Sequence, residues 1–183
     1  VFYFSKKPKF FICGGVIHMM EIKKRHDLKS SKVKHLKNQV KEVLGEEFVP
    51  LLEGERFEIC TTDADIDLIL VDGNPVFLKK KALFPTLKAF LDTDCRKLTH
   101  HITVDMGAVP YVTNGAHVMR PGVVDIDKSV EKGDFVVITE ERHGKPLAIG
   151  EALYSAKEIK TMKEGRVIQN IHYVGDKMWN LEL

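Results

Sequence analysis

KGDFVVITEERHGKPLAIGEALYSAKEI, residues 132–159, alternates short apolar runs with glycine and proline at close, regular intervals. Runs such as DFVVIT and PLAIG are too short for a stable helix and suit strands, while the Gly and Pro residues between them mark turns. The same texture extends upstream through VDMGAVPYV (104–112) and NGAHVMRPGVVDID (114–127), where ITVDM, VPYV, HVM and GVVDI read as further strands. Many short strands with regular turn signals predict a small β-sandwich or barrel. One short helix, Ala156 to Lys163, interrupts the series before the closing VIQNIHYVGDKMWNLEL (167–183).

The first half of the chain reads differently. In KVKHLKNQVKEVLG (32–45), Val33, Leu36, Val40, Val43 and Leu44 recur at helical spacing, with Ser30-Ser31 placed to cap the start and Gly45 the end. A helical turn over Glu46 to Leu52 follows, interrupted by Pro50. From Arg56 the strand-like runs RFEIC, IDLILV and PVFLK appear, the last two joined by Asp72-Gly73, a strong hairpin signal, with Asn74 lengthening the loop. In ALFPTLKAFLD, Pro85 suits a first helical position, and Leu87, Phe90 and Leu91 supply an apolar stripe. This mixed half ends in the polar run DTDCRKLTHH (92–101), so the predicted division is an extension over 1–19, an α+β domain over 20–98 and a mostly β domain over 99–183.

With 44% apolar and 30% charged residues, the chain has the composition of an ordinary folded protein, which excludes global disorder. Cys13, Cys60 and Cys95 lie far apart, without the short Cys or His spacing of a zinc site, and read as unpaired thiols in a reducing, cytoplasmic compartment. The opening VFYFSKKPKFFICGGVIH is too short in its apolar run to span a bilayer, and reads as an amino-terminal extension, or the product of an upstream start, packing as an edge strand. Net charge is +2, but residues 1–47 hold eleven Lys and Arg against five Asp and Glu, so the basic surplus is amino-terminal. Such unevenness can mark a phosphate-facing surface.

No nucleophile, P-loop or zinc-protease motif is present, and a non-enzyme without cofactor or metal is expected. His100 and His101, adjacent on a strand, point to opposite faces and could not share an ion without a bend. Asp63, Asp65 and Asp67 alternate, but their loop lacks the glycine and terminal glutamate of an EF-hand.

In order and spacing, the three β-rich stretches resemble the PUA domain, an RNA-binding barrel module: a Gly-Ala pair, a Pro-Gly turn, then Gly-Asp, a strand, a glycine turn and an Ala-x-Gly-x-Ala strand. FLKKKALFPTLKAFL (77–91), together with NIHYVGDKMW (170–179), is similar to the family of the malignant T-cell amplified sequence protein and its archaeal relatives. The resemblance implies an α+β amino-terminal (pre-PUA) domain followed by a mostly β PUA pseudo-barrel. It also implies work on RNA in translation, since eukaryotic members act with the density-regulated protein on the small ribosomal subunit in initiation, reinitiation and recycling. The extension and the first helix depart from the family pattern, so no family contact is carried onto them.

In PUA domains RNA lies along a cleft near the segment that here is NGAHVMRPG. This places Gly115, Ala116, His117, Arg120 and Gly122 at the candidate RNA surface, with Arg120 exposed before its Pro-Gly turn as a planar fork for a phosphate or base edge. Met119 is expected in the core, and Tyr111, Tyr154, Tyr173 and Trp179 at core or barrel-end positions. Arg142, His143 and Lys145 would line the groove, joined by Lys79, Lys80 and Lys81 if the domains pack face to face. The expected partner is RNA (tRNA, ribosomal RNA or another structured RNA), with the small ribosomal subunit or a translation factor as protein partner. Two other readings stay open: an RNA-docking accessory for an RNA-modifying enzyme, and a protein-interaction adaptor.

Overall fold

The computed structural model describes residues 20–80, 82–91 and 100–181. Their strands form two sheets, divided at the predicted change of texture; the expected boundary near Leu98 lies outside the described residues. The first sheet is antiparallel and runs in chain order: β1 (Ile22–Asp27), β2 (Phe57–Thr62), β3 (Asp67–Val71), β4 (Asn74–Lys79) and β5 (Leu83–Pro85). Helix α1 (Ser30–Val43) packs Leu36 and Val40 onto the face that carries Ile69 and Phe77. Met20, Cys60, Leu68, Leu70 and Leu78 form a second cluster. Alternate residues of β3 therefore meet apolar neighbours on both faces, which explains its unbroken run Leu68–Val71. Burial pushes the Cys60 thiol up, which disfavours the reactive thiolate.

Several elements differ in detail from expectation. Ser30 and Ser31 lie inside α1 and not before it; Lys29 is the cap residue and offers no side-chain bond. Asp72 and Gly73, at φ 50° and 81°, close a two-residue turn, so Asn74 pairs with Val71 instead of lengthening the loop. Pro85 ends the edge strand β5, opposite Phe77, and the helical turn is a 3₁₀ segment over Leu87–Phe90 that leaves Leu91 45% exposed. An edge position accommodates a proline that has no N–H to give to a ladder. The predicted turn over Glu46–Leu52 is present, with Pro50 inside it. Strand β1 was not anticipated, because IKKRHD carries no apolar alternation.

The second sheet has the order β7 (Val118–Met119), β11 (Arg166–Tyr173), β10 (Pro146–Ala152), β9 (Phe135–Glu140), β6 (His101–Val104) and β8 (Val123–Ile126), with β6 and β9 parallel. Its two edge strands, β7 and β8, are joined by a single turn, Arg120–Gly122, so the sheet must curl into a nearly closed barrel. Ile102, Val136, Ile138, Ala148 and Ile168 fill its interior. VPYV, expected as a strand, is instead a one-turn helix, α2 (Val109–Val112), with Pro110 in its first turn, where a missing N–H costs no helical bond. Helix α3 (Ala156–Thr161) opens with a capping box between Ser155 and Glu158.

The two sheets share one core. Phe135, Val137 and Ile149 of the barrel join Phe48, Leu52, Leu87 and Phe90 in a single apolar cluster. Phe48 packs edge-to-face on Phe135 and Phe90, with ring centroids 5.1 and 6.1 Å away.

Candidate nucleic-acid interface

Register brings the end of β6 (Val104), the start of β8 (Val123) and the end of β9 (Glu140) side by side, with the start of β10 and the end of β11 next to them. The segment 105–117 lies over this end of the barrel. Asp105 begins it: its backbone N–H donates to the Gly122 carbonyl, and its carboxylate accepts from Ala108 N–H at 2.7 Å. Met106 N–H then donates to the Glu141 carboxylate, tying the segment to the loop after β9.

Asn170 of β11 fastens the other end. Its side-chain amide donates to the carbonyls of Val112 and Ala116, both at 3.0 Å, and its backbone N–H donates to His117 Nδ1 at 3.0 Å. Because that nitrogen accepts, the proton of neutral His117 sits on Nε2, which is left to donate elsewhere. Gly115 has φ 86°, and a Cβ there would lie 2.8 Å from the Tyr173 ring, so both backbone conformation and space require glycine. Tyr173 is itself held by Asp176, whose carboxylate accepts from Tyr173 N–H, Trp179 N–H and His172 Nδ1. Burial pushes that carboxyl up, but the bonds from His172 and the two amides outweigh it and hold it below the usual range.

Arg142, His143 and Lys145 are exposed on the loop between β9 and β10. Their backbone N–H groups all donate to the buried Glu140 carboxylate, at 2.6 to 3.0 Å. Burial pushes the Glu140 carboxyl up, but the three amides outweigh it and hold it below the usual carboxylate range. The anion-binding concavity of this loop is therefore filled by the protein's own carboxylate, and what faces solvent is three basic side chains at the same end of the barrel as His117.

Arg120 is not the exposed fork the sequence suggested. It is half-buried, and its Nε donates to the Ile159 carbonyl at 2.6 Å and one terminal nitrogen to the Val123 carbonyl at 3.2 Å. It binds α3 to β8 and fixes the turn that closes the barrel. Gly122 packs against Ala108, where a Cβ would come within 3.1 Å, and so keeps the two segments close. Met119, expected in the core, is 51% exposed, and Tyr111, expected at a core or barrel-end position, is 69% exposed. Tyr111 belongs to α2 beside the Asn170-held loop, and its carbonyl accepts from Asn114 and Ala116. Its ring is an available stacking face that sequence periodicity missed, because VPYV looked like a strand. Lys80 is set apart from the loop of Arg142. Lys80 lines a cleft with Phe84, Glu151 and Gln169, residues remote along β10 and β11 from the loop of Arg142; Lys79 is exposed on β4, and Lys81 lies outside the described residues.

Residues 100–174 match the PUA domain model and residues 24–93 match a domain of unknown function, DUF1947. The chain is 41% identical to an uncharacterized protein of Methanocaldococcus jannaschii, over 89% of this chain and 99% of that one. With translation machinery-associated protein 20 of Saccharomyces cerevisiae it shares 33% identity, over 75% of this chain and 78% of the yeast protein. The chain belongs to the translation machinery-associated protein 20 family. The malignant T-cell-amplified sequence proteins are further relatives, in agreement with the resemblance carried by residues 77–91 and 170–179. In structure, this family member superimposes with a TM-score of 0.78 on a hypothetical protein of Pyrococcus horikoshii, at 38% identity over 85% of this chain and 97% of the other.

Proposed function

We propose that this chain is a non-catalytic RNA-binding protein of the translation apparatus, and that it holds structured RNA, a tRNA or ribosomal RNA, at the barrel end that carries Tyr111, Gly115, Ala116 and His117. The observation that supports this reading is convergence. The exposed Tyr111 and His117 sit on the segment 105–117, which Met106 ties through Glu141 to the loop carrying Arg142, His143 and Lys145, and Asn170 and Glu140 hold the backbone of segment and loop. Exposed bases stack on aromatic rings while basic groups follow the phosphates, and a pre-ordered surface makes both contacts with little loss of conformational entropy. Arg120 acts through the turn it fixes, as a positioning residue. The small ribosomal subunit or a translation factor is the macromolecular setting we assign, in the cytoplasm.

Crosslinking in native cells, followed by sequencing of the attached RNA, tests the reading. Ribosomal RNA or tRNA is the expected product. Enrichment of guide RNAs or modification substrates would point to docking for an RNA-modifying enzyme, and background signal alone would contradict RNA binding.

A further inference from the structure

Residues 22–41 hold eight Lys and Arg against one acid, Asp27. On α1, Lys34, Lys37 and Lys41 are spaced to fall on one flank of the helix, opposite the exposed Val43. Lys37 lies over the Phe57 ring, with its Nζ 5.7 Å from the centroid, which sets that flank beside the start of β2. On β1, Lys24 and His26 pair with Thr61 and Ile59, and Ile59 pairs with Ile69, which packs with Leu36 and Val40 of α1. Lys24 and His26 therefore share the sheet face on which α1 sits. Helix flank and edge strand form one step-shaped basic surface with the half-buried Phe57 and Ile59 at its base.

This arrangement is unfavourable for the isolated protein. The first turn of α1 has no acidic residue to complement the helix dipole, and Lys34, Lys37 and Lys41 repel one another at i, i+3 and i+4 spacing. Lys24 and Lys34 make no ion pair among the described residues, and Lys41 meets Glu46 only at the surface. Arg25 is compensated by the buried Glu58, but the charge of Lys24, Lys34 and Lys37 has no acidic partner among the described residues, and a local conflict of this kind is characteristic of a functional surface. We propose that this surface binds the sugar-phosphate backbone of RNA independently of sequence, as a second contact separate from the barrel end. Lysines without an exposed aromatic or large apolar anchor fit a run of phosphates and not a protein interface, whose core is depleted of lysine and built on aromatic anchors. The choice of RNA as the polyanion rests on the proposed function.

The test uses the full chain, a 20-base-pair RNA duplex and a salt series, with the variant Lys24→Gln/Lys34→Gln/Lys41→Gln. Loss of three phosphate contacts lowers the magnitude of the slope of log K against log salt by about 2.7 and weakens binding on the order of 100-fold near 0.1 M salt. The melting point should be unchanged or higher, since repulsion is relieved. Lys128→Gln/Lys157→Gln/Lys163→Gln, with the same change in charge on the barrel domain, should leave the slope near wild type. An unchanged slope in the first variant overturns the proposal, as does equal weakening by both. So does a first variant that keeps duplex affinity but loses binding to polyglutamate, which would assign the surface to an acidic protein. Tyr111→Ala, titrated with a structured RNA that carries a single-stranded 3′ end, separates the two sites: if it binds that RNA as wild type while the lysine variant weakens duplex binding, the barrel-end reading fails and the lysine surface stands.

Discussion

The Glu140 carboxylate accepts from three backbone N–H groups while buried at 6% exposure, and so helps organise the loop that displays Arg142, His143 and Lys145. Replacing it with glutamine keeps the size but removes the charge from all three bonds and turns an amide NH₂ toward donors. Glu140→Gln is expected to lose about 1–3 kcal/mol at pH 7, read from denaturant unfolding. The carboxyl is held below its ordinary value, so its contribution is complete above the unfolded-state pKa of about 4.3 and is lost as pH falls through the lower folded value. The gap between wild type and variant should therefore close on acidification below about pH 4. Arg120→Ala should likewise lower stability, because the Ile159 and Val123 carbonyls lose their donor, by about 1–3 kcal/mol. An unchanged melting point would show that Arg120 is a surface side chain after all. At this scale the sequence was least legible. NGAHVMRPG located the loop, but which side chains point outward depends on partners 39 residues away, as with Arg120 and Ile159, or 53, as with His117 and Asn170.

Among the elements, strong local signals were read correctly. Asp72-Gly73 gave a tight hairpin, Gly45 ended α1 with φ 111°, and DFVVIT and PLAIG became β9 and β10. Signals that depend on tertiary setting misled: Pro85 fits an edge strand as well as a helix start, and VPYV turns into a helix after the turn that Asp105 closes by accepting from Ala108 N–H. Strand β1 is held by its backbone ladder and by a bidentate bond from Arg25 to the buried Glu58 of β2, neither of which shows as apolar alternation in IKKRHD. The segment between α2 and β7 supplies a test at this level. Gly115→Ala would place a methyl against Tyr173 in a left-handed backbone and should destabilise by at least about 1–3 kcal/mol, with RNA binding lost in proportion as the loop lifts from Asn170. Thermal melts and RNA titration of the one variant read both effects.

At the scale of the molecule, the change from helical to strand texture near residue 100 marked the two sheets, but a periodicity argument cannot see that they share a core. Phe48, from the 3₁₀ turn of the first half, packs edge-to-face on Phe135 of β9 in the barrel. Phe48→Ala should cost about 3–5 kcal/mol and lower the stability of the whole chain in a single transition, by calorimetry or by tryptophan and amide probes alike. Two separate transitions, with the second unaffected, would show that the barrel is energetically independent. A fragment holding the barrel alone, begun near Lys97, would expose Phe135, Val137 and Ile149 and should need polar substitutions there to stay monomeric.

RNA binding at the barrel end is tested most directly by titrating a structured RNA with a single-stranded 3′ end into wild type, Tyr111→Ala and Arg142→Ala/Lys145→Ala across a salt series, with melting points taken in parallel. Tyr111 is exposed, so its loss should leave the melting point unchanged and weaken binding by about 1–3 kcal/mol at every salt. The basic pair should weaken all RNAs alike and flatten the salt dependence. Folded variants that bind as tightly as wild type at every salt concentration would contradict an RNA site at this end of the barrel.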